Sequence, residues 1–516
     1  MILPASQKTA PPGAVFIAVA GYITWSRSLL LLSAVVAMTA FPSGAHASIT
    51  LEASPVANLT YQLDCVSDVV PACGAREAFR DLWRTTYGAD ARDDPRVARW
   101  RDLRAKYQGS ISAAPGVRPW FELMQRVRHA GLQARSPDEY ERYVALLTTT
   151  AHAHDLASVL RELWSPFDAW WRGAPQSSLS VHVSALAEAL AMPDMRAEIA
   201  AIEAFYGVAR GAAPFVVHAI HRPIASGITT TAQVIGDVAV AEIPADDTLE
   251  RRLPVIVHEY AHLLLSRVDE QKLAELRAAV VKAGGSGGRG AWMEFDEAIA
   301  TALGNGRVYR RLASNDEWTR YVRSEFSFYT RDETDRAAKA VLPLVDTFIR
   351  DGRSIASPGF AAEYAAVVKR ALGDRLIAPI ALLSEFAMVS DAALGEKVRS
   401  VVQEAVQAKT GTYSFWAFSG ACCGPAFLKP LGDYPDKPQL VVIPPQRLAA
   451  STFLPASLRT SLARQRSPAF AMTTRAGASP MIVIVARSAD DVATTMRSIF
   501  ARRSLDDGGA YSATSR

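Results

Sequence analysis

His258 and His262 stand four residues apart, and Glu259 directly follows the first of them. On an α-helix, positions i and i+4 lie one above the other. The two imidazoles therefore face the same way and supply half of a tetrahedral zinc site. Glu259 is turned about 100° from His258, which places it beside a metal rather than on it. A carboxylate there can act as general base on zinc-activated water, the arrangement of HExxH metallopeptidases. Between Val255 and Leu265 every residue outside the motif is uncharged and none is proline. That pattern predicts a buried helix carrying its polar groups to one spot.

Two histidines leave zinc short of a third protein ligand. The metzincin continuation needs glycine and histidine after the motif, where this chain has Leu265 and Val268. A glutamate from a second, closely packed helix is the other common completion. Glu297, 35 residues beyond His262, is the leading candidate, because its small neighbours Ala298 and Ala300 let two helices approach. Glu294, one turn earlier on the same face, competes with it. Glu294, Asp296 and Glu297 together can also be read as a plain solvated acidic patch.

With His258-Glu259-Tyr260-Ala261-His262 and Asp296-Glu297-Ala298-Ile299-Ala300, the chain resembles the gluzincins, the thermolysin-like zinc peptidases, over residues 238–303. The resemblance implies Zn2+ as cofactor, His258, His262 and Glu297 as metal ligands, and Glu259 as catalytic base. It also implies a zincin-like catalytic domain with a small antiparallel sheet. In that family an aspartate four residues after the ligand glutamate supports a histidine. Thr301 stands there in this chain, so the outer shell must differ. A gluzincin strand upstream of the motif borders the cleft and can pair with an extended peptide, the role implied for Gly236–Ile243. An oxyanion donor is needed too. No histidine follows His262, so a tyrosine or arginine is implied; Tyr321, Tyr329 and Tyr413 are candidates, although each taken singly is better read as an ordinary packing or surface tyrosine. The expected substrate is a peptide or protein. A zinc-stabilised scaffold or binding protein, and a zinc hydrolase of another amide or ester, are the alternatives. Glu259 weighs against the scaffold, since a purely structural site has no need of it.

The elements that must hold these residues give an α+β chain, mostly helical. Residues 75–210 predict helices at Arg76–Tyr87, Pro95–Tyr107, Pro119–Ala134, Pro137–His154, Asp155–Trp171 and Val181–Tyr206. His152 and His154, two apart on a helix, point apart, which suits solvated or satisfied imidazoles rather than ligands. Strand-like runs follow at Phe215–Ile220 and Gly236–Pro244. Pro254 falls near the start of the predicted motif helix, which continues to about Lys282. The run Gly284–Gly290 reads as a flexible loop. A further helix is expected over Trp292–Leu312, then others at 315–329, 331–351, 358–373, 380–388 and 391–409, with a loop from Gly411 to Pro438. The tail predicts strands at Gln439–Ile443, Ala469–Thr474 and Met481–Ala486 and a closing helix. The implied domains are a signal peptide (1–47), a helical N-terminal region (48–210), a catalytic domain (211–430) and a small α+β unit (431–516).

The signal rests on Arg27, the apolar run Leu29–Phe41 and Ala45-His46-Ala47 before Ser48. It predicts export to the periplasm or beyond, with no stable membrane span after cleavage; a second apolar stretch upstream, Ala14–Thr24, leaves retention as an anchor as the alternative. The formal charge is only +4, and residues 1–47 contribute Lys8 and Arg27 to it without any acid. So small and scattered an excess gives no argument for nucleic acid. A 49% hydrophobic and 21% charged composition excludes a disordered chain. Four cysteines fit an exported protein: Cys65 and Cys73 suit a local bond, whereas a bond between the neighbours Cys422 and Cys423 is rare, and cross-linking of the two pairs stays open.

Overall fold

The computed structural model describes residues 49–69, 73, 75–105, 123–209, 214–223, 232–328, 332–383, 385–410, 414–434, 437–474 and 480–513. The expected signal segment, Tyr329 and Tyr413 lie outside them. The described chain is mostly helical with two small mixed sheets, an α+β class. It falls into two compact units, divided between Ile377 and Ala378. No described helix is long and apolar enough to cross a membrane.

The first unit carries the HExxH motif. Its sheet has the order β1-β2-β4-β3, with β1 at Ile49–Glu52, β2 at Phe215–Arg222, β3 at Ala232–Ile235 and β4 at Val238–Pro244. β1, β2 and β4 are parallel and only β3 is antiparallel, so the expected antiparallel sheet is mixed. The strand chemistry explains the difference. Every residue of β4 is buried, the near-continuous apolar run of a strand covered on both faces rather than an alternating one. β4 is also paired on both sides, by β2 and by β3. Gly236–Ile243 therefore has no free edge, and the edge strands of this sheet are β1 and β3.

β1 pairs with β2 across a separation that includes most of the helical N-terminal region. The helix that follows, Pro55–Val66, starts with the Ser54 side chain accepting from the Ala57 amide and has Pro55 in its first turn. From Val56 onward it is buried throughout. Tyr61 on it donates to Glu242 of β4 at 2.8 Å. Burying Val56, Leu59 and Leu63 stabilises the unit by about 1.5–3 kcal/mol each. Residues 49–209 are thus part of the same compact unit as the motif, not a separate region ending at 210. A chain beginning at residue 211 is expected to lack a cooperative thermal transition by circular dichroism. A soluble fragment with a sharp melt would instead make the N-terminal region separable.

Several helices differ from expectation in their ends. The segment read as Pro137–His154 ends its helix at Ala145, and its last residues join the one read as Asp155–Trp171 in the helix Thr150–Trp171; the segment read as Val181–Tyr206 falls in two helices, Ala174–Ala191 and Pro193–Tyr206, parted at Pro193. The motif helix spans Leu249–Arg267, so Pro254 lies five residues inside it. The glycine run is no flexible loop: it forms a 3-10 turn and the helix Gly288–Met293. A Cβ on Gly288 would come within 2.0 Å of the Val281 carbonyl oxygen, and one on Gly290 within 2.1 Å of that of Leu376. These glycines are a backbone packing surface.

The second unit is built on a six-stranded mixed sheet of order β10-β8-β9-β7-β5-β6. Its strands are β5 (Glu385–Asp391), β6 (Ser414–Gly420), β7 (Gln439–Ile443), β8 (Ala469–Thr474), β9 (Pro480–Val485) and β10 (Ala510–Ser512). The boundary read at 430/431 cuts this sheet, because β5 was taken as a helix and β6 as loop. β5, β6, β7 and β9 are parallel, and β8 alone runs the other way, pairing antiparallel with both β9 and β10. Helices Lys397–Thr410 and Ala489–Phe500 cover one face, through residues such as Val402 and Met496. Pro425–Asp433 and Ala456–Arg464 cover the other, through Phe427 and Leu458.

Candidate metal centre

The motif helix is held from two sides. Tyr260 donates to Glu203 of the Pro193–Tyr206 helix at 2.7 Å. On its other side pack the helix Phe295–Thr301 and the π-helical segment Ala302–Val308 that continues it. Arg307 of that segment donates to Glu198 at 2.7 Å, so both partners of the centre are tied to the N-terminal helices. The expected single helix Trp292–Leu312 is therefore interrupted by a turn at Glu294 and widened from Ala302. The wider π turn accompanies an unusually close approach. A Cβ on Gly304 would meet the Pro254 carbonyl oxygen at 2.3 Å and the His258 amide nitrogen at 2.6 Å. Gly304→Ala is expected to lower stability by about 1–3 kcal/mol or more and to weaken metal uptake. Parallel thermal melts and metal titrations of the two proteins check this.

The two histidines meet as predicted. Their Nε2 atoms are 2.9 Å apart. Glu297 reaches them from the facing helix, with Oε2 3.6 Å from His258 Nε2 and Oε1 3.6 Å from His262 Nε2. Among the described residues these three form the one such group able to hold a metal ion. A tetrahedral ion with bonds of about 2.0–2.2 Å separates its ligand atoms by about 3.3–3.6 Å; both carboxylate–imidazole spacings match this, and the 2.9 Å between the imidazoles would open by a few tenths of an ångström around an ion. Two nitrogens and a carboxylate oxygen suit zinc and its first-row neighbours.

Glu294 has another occupation. It is buried, and Thr334 Oγ1 donates to its Oε2 at 3.2 Å. The acidic patch thus divides by role: Glu294 faces the core, and Glu297 faces the histidines. Asp296 has a third part, missed at the sequence level except as a member of the patch. His262 Nδ1 lies 2.7 Å from Asp296 Oδ1. Donation from Nδ1 to the carboxylate leaves the Nε2 lone pair directed at the site and fixes the ring's orientation, as a carboxylate does behind a metal-binding histidine. Thr301, at the position where the gluzincin aspartate would stand, has its Oγ1 3.5 Å from His258 Nδ1, and Ala300 hydrogen-bonds His258 through its backbone. Asp296→Ala is expected to weaken metal binding about 10–100-fold without loss of fold. Isothermal titration with Zn2+ measures this.

The group is buried on one side and exposed on the other. His258 and Glu259 are buried, while the side chains of Glu297 and Asp296 are each 41% exposed. Burial, with His262 beside it, holds the His258 imidazolium well below its ordinary range, so this ring stays neutral and free to ligate. Burial also lowers His262, but the Asp296 and Glu297 carboxylates outweigh it and push the metal-free ring up to about 10. Burial raises the Glu259 carboxyl to about 7, against a backbone hydrogen bond from Val234 of β3.

No protein-family model matches this chain, no curated protein matches it, and no solved structure matches it. The site is read on its own geometry.

The other candidates fall away from this centre. Tyr321 is buried in an aromatic cluster with Tyr309, Trp318 and Phe328, with the Lys339 ammonium 4.4 Å above its ring. It packs there, and no described contact joins it to His258, His262 or Glu297. His154 is exposed beside Glu141 and His152 is buried, as their spacing implies. Cys65 is bonded to Cys73, and Cys422 to Cys423. The rare neighbour bond is therefore the one formed, and the two pairs are not cross-linked.

Proposed function

We propose that this chain is an exported zinc metallopeptidase of gluzincin type, with a zincin-like catalytic region around the HExxH helix. The observation that carries the reading is the convergence of His258, His262 and Glu297 on one point, with the Glu259 carboxylate buried beside it. His258, His262 and Glu297 would hold the ion. When bound, zinc supplies Lewis acidity and lowers the pKa of water towards about 7. Asp296 fixes the proton on His262 Nδ1 and so orients the ring. Glu259, buried beside the ligands and held by the Val234 amide, takes a proton from the attacking water and returns it to the leaving amine. A scaffold has no use for a buried carboxylate that resists ionisation, which favours turnover over the structural alternative.

A sheet edge beside the site supports a peptide as substrate. β3 is one of the two outer strands, and its Val234 amide faces Glu259. An extended peptide laid along β3 would pass the metal ligands, a role that Gly236–Ile243 cannot fill with both sides paired. The test is hydrolysis of an unfolded protein such as casein by the purified chain. Activity is expected to vanish on chelation and return with one equivalent of Zn2+. Full activity after complete metal removal would overturn the reading.

A further inference from the structure

The second unit holds two adjacent sulfurs that the peptidase reading does not use. β5 lies between β6 and β7, parallel to both, so the chain leaves β5 outward to β6 and returns past it to β7. In open sheets of this kind, ligand sites form beyond the carboxyl ends of the strands where the connections reverse. Asp391 ends β5, Cys422 and Cys423 follow β6, and Arg447 and Ser451 follow β7.

These residues are joined. The buried Asp391 carboxylate accepts from the Cys422 amide at 2.9 Å and from the Ala393 amide at 2.8 Å. Arg447 Nε lies 3.7 Å from the same carboxylate. Ser451, fully buried, donates to the Arg447 carbonyl at 2.9 Å, and its Oγ stands 3.3 Å from Cys423 Sγ and 3.8 Å from Cys422 Sγ. With the serine proton committed to that carbonyl, its oxygen can accept from a Cys423 thiol. The surroundings therefore suit the reduced pair as well as the bonded one. Cys422 is buried and Cys423 is partly exposed, whereas both Cys65 and Cys73 are buried.

We propose that Cys422–Cys423 is a thiol–disulfide exchange site for small dithiols, with Cys423 as the sulfur attacked. A thiolate of the dithiol bonds to Cys423 Sγ. The Cys422–Cys423 bond breaks, and its electron pair and a proton go to Cys422. The second thiolate of the dithiol then attacks its own partner sulfur and releases Cys423, which takes the other proton. The dithiol leaves as a cyclic disulfide, oxidised by two electrons, and the cysteine pair is reduced by two.

The test uses the full chain in native buffer with dithiothreitol, followed by iodoacetamide and peptide mapping. Alkyl groups are expected on Cys422 and Cys423 at least about 100-fold faster than on Cys65 and Cys73, with unchanged ellipticity. A brief exposure to the monothiol glutathione is expected to leave its adduct on Cys423. Reduction of both pairs at similar rates, or opening of Cys422–Cys423 only in denaturant, would overturn the proposal. An adduct on Cys422 instead would overturn the assignment of the attacked sulfur.

Discussion

Glu259→Gln is expected to lower peptide hydrolysis by about 10²–10⁴-fold while leaving the bound metal in place, because general-base catalysis is worth about that much and the side chain is not a ligand. Glutamine keeps the size of glutamate and can still meet the Val234 amide through its carbonyl oxygen, but it cannot take a proton from water. A second readout separates this loss from damage to the fold. Burial pushes the metal-free Glu259 carboxyl from 4.5 up to about 7. A carboxyl raised on folding resists ionisation in the folded state, so the folded state loses stability as pH climbs from about 4.5 and has lost it fully above about 7. Glutamine has no such penalty. The metal-free variant should therefore melt above metal-free wild type at pH 8, and the two should converge near pH 4. Lower activity together with a lower melting temperature at pH 8 would mean that Glu259 is structural.

Glu297→Ala should abolish stoichiometric metal binding, and Glu294→Ala should not. Glu297 supplies the carboxylate 3.6 Å from each ligating nitrogen, so its loss leaves two imidazoles and an open side. The fall in affinity should exceed the roughly 10–100-fold expected for an outer-shell residue. Glu294 is buried against Thr334, and its removal leaves that hydroxyl without its acceptor, for about 1–3 kcal/mol of stability. Metal content by inductively coupled plasma spectrometry, alongside thermal melts, distinguishes them. The pattern reversed, with metal lost in Glu294→Ala and kept in Glu297→Ala, would move the third ligand.

The residues of the centre were legible in the sequence because their geometry is local. His258 and His262 share a helix face by spacing alone, and Glu297 followed from small neighbours on the next helix. Asp296 was visible only as one acid among three, since nothing local says which of them turns to His262. The sheets were less legible for a physical reason. β1 is four residues long and gains meaning only by pairing with β2, on the far side of eight described helices. β5, with Phe386, Ala387 and Met388 buried on both faces, lacks the alternation that separates a strand from a helix. The glycine run failed in the opposite way: it looked like a flexible loop, but Gly288 and Gly290 are needed where backbones touch.

The central claim is that His258, His262 and Glu297 hold one zinc ion. Zinc K-edge X-ray absorption on the purified full chain tests it most directly. The predicted result is about one zinc per chain, with two imidazole nitrogens and carboxylate or water oxygens at about 2.0–2.2 Å. A chain that takes up no stoichiometric zinc, or a spectrum showing sulfur at about 2.3 Å, would contradict it.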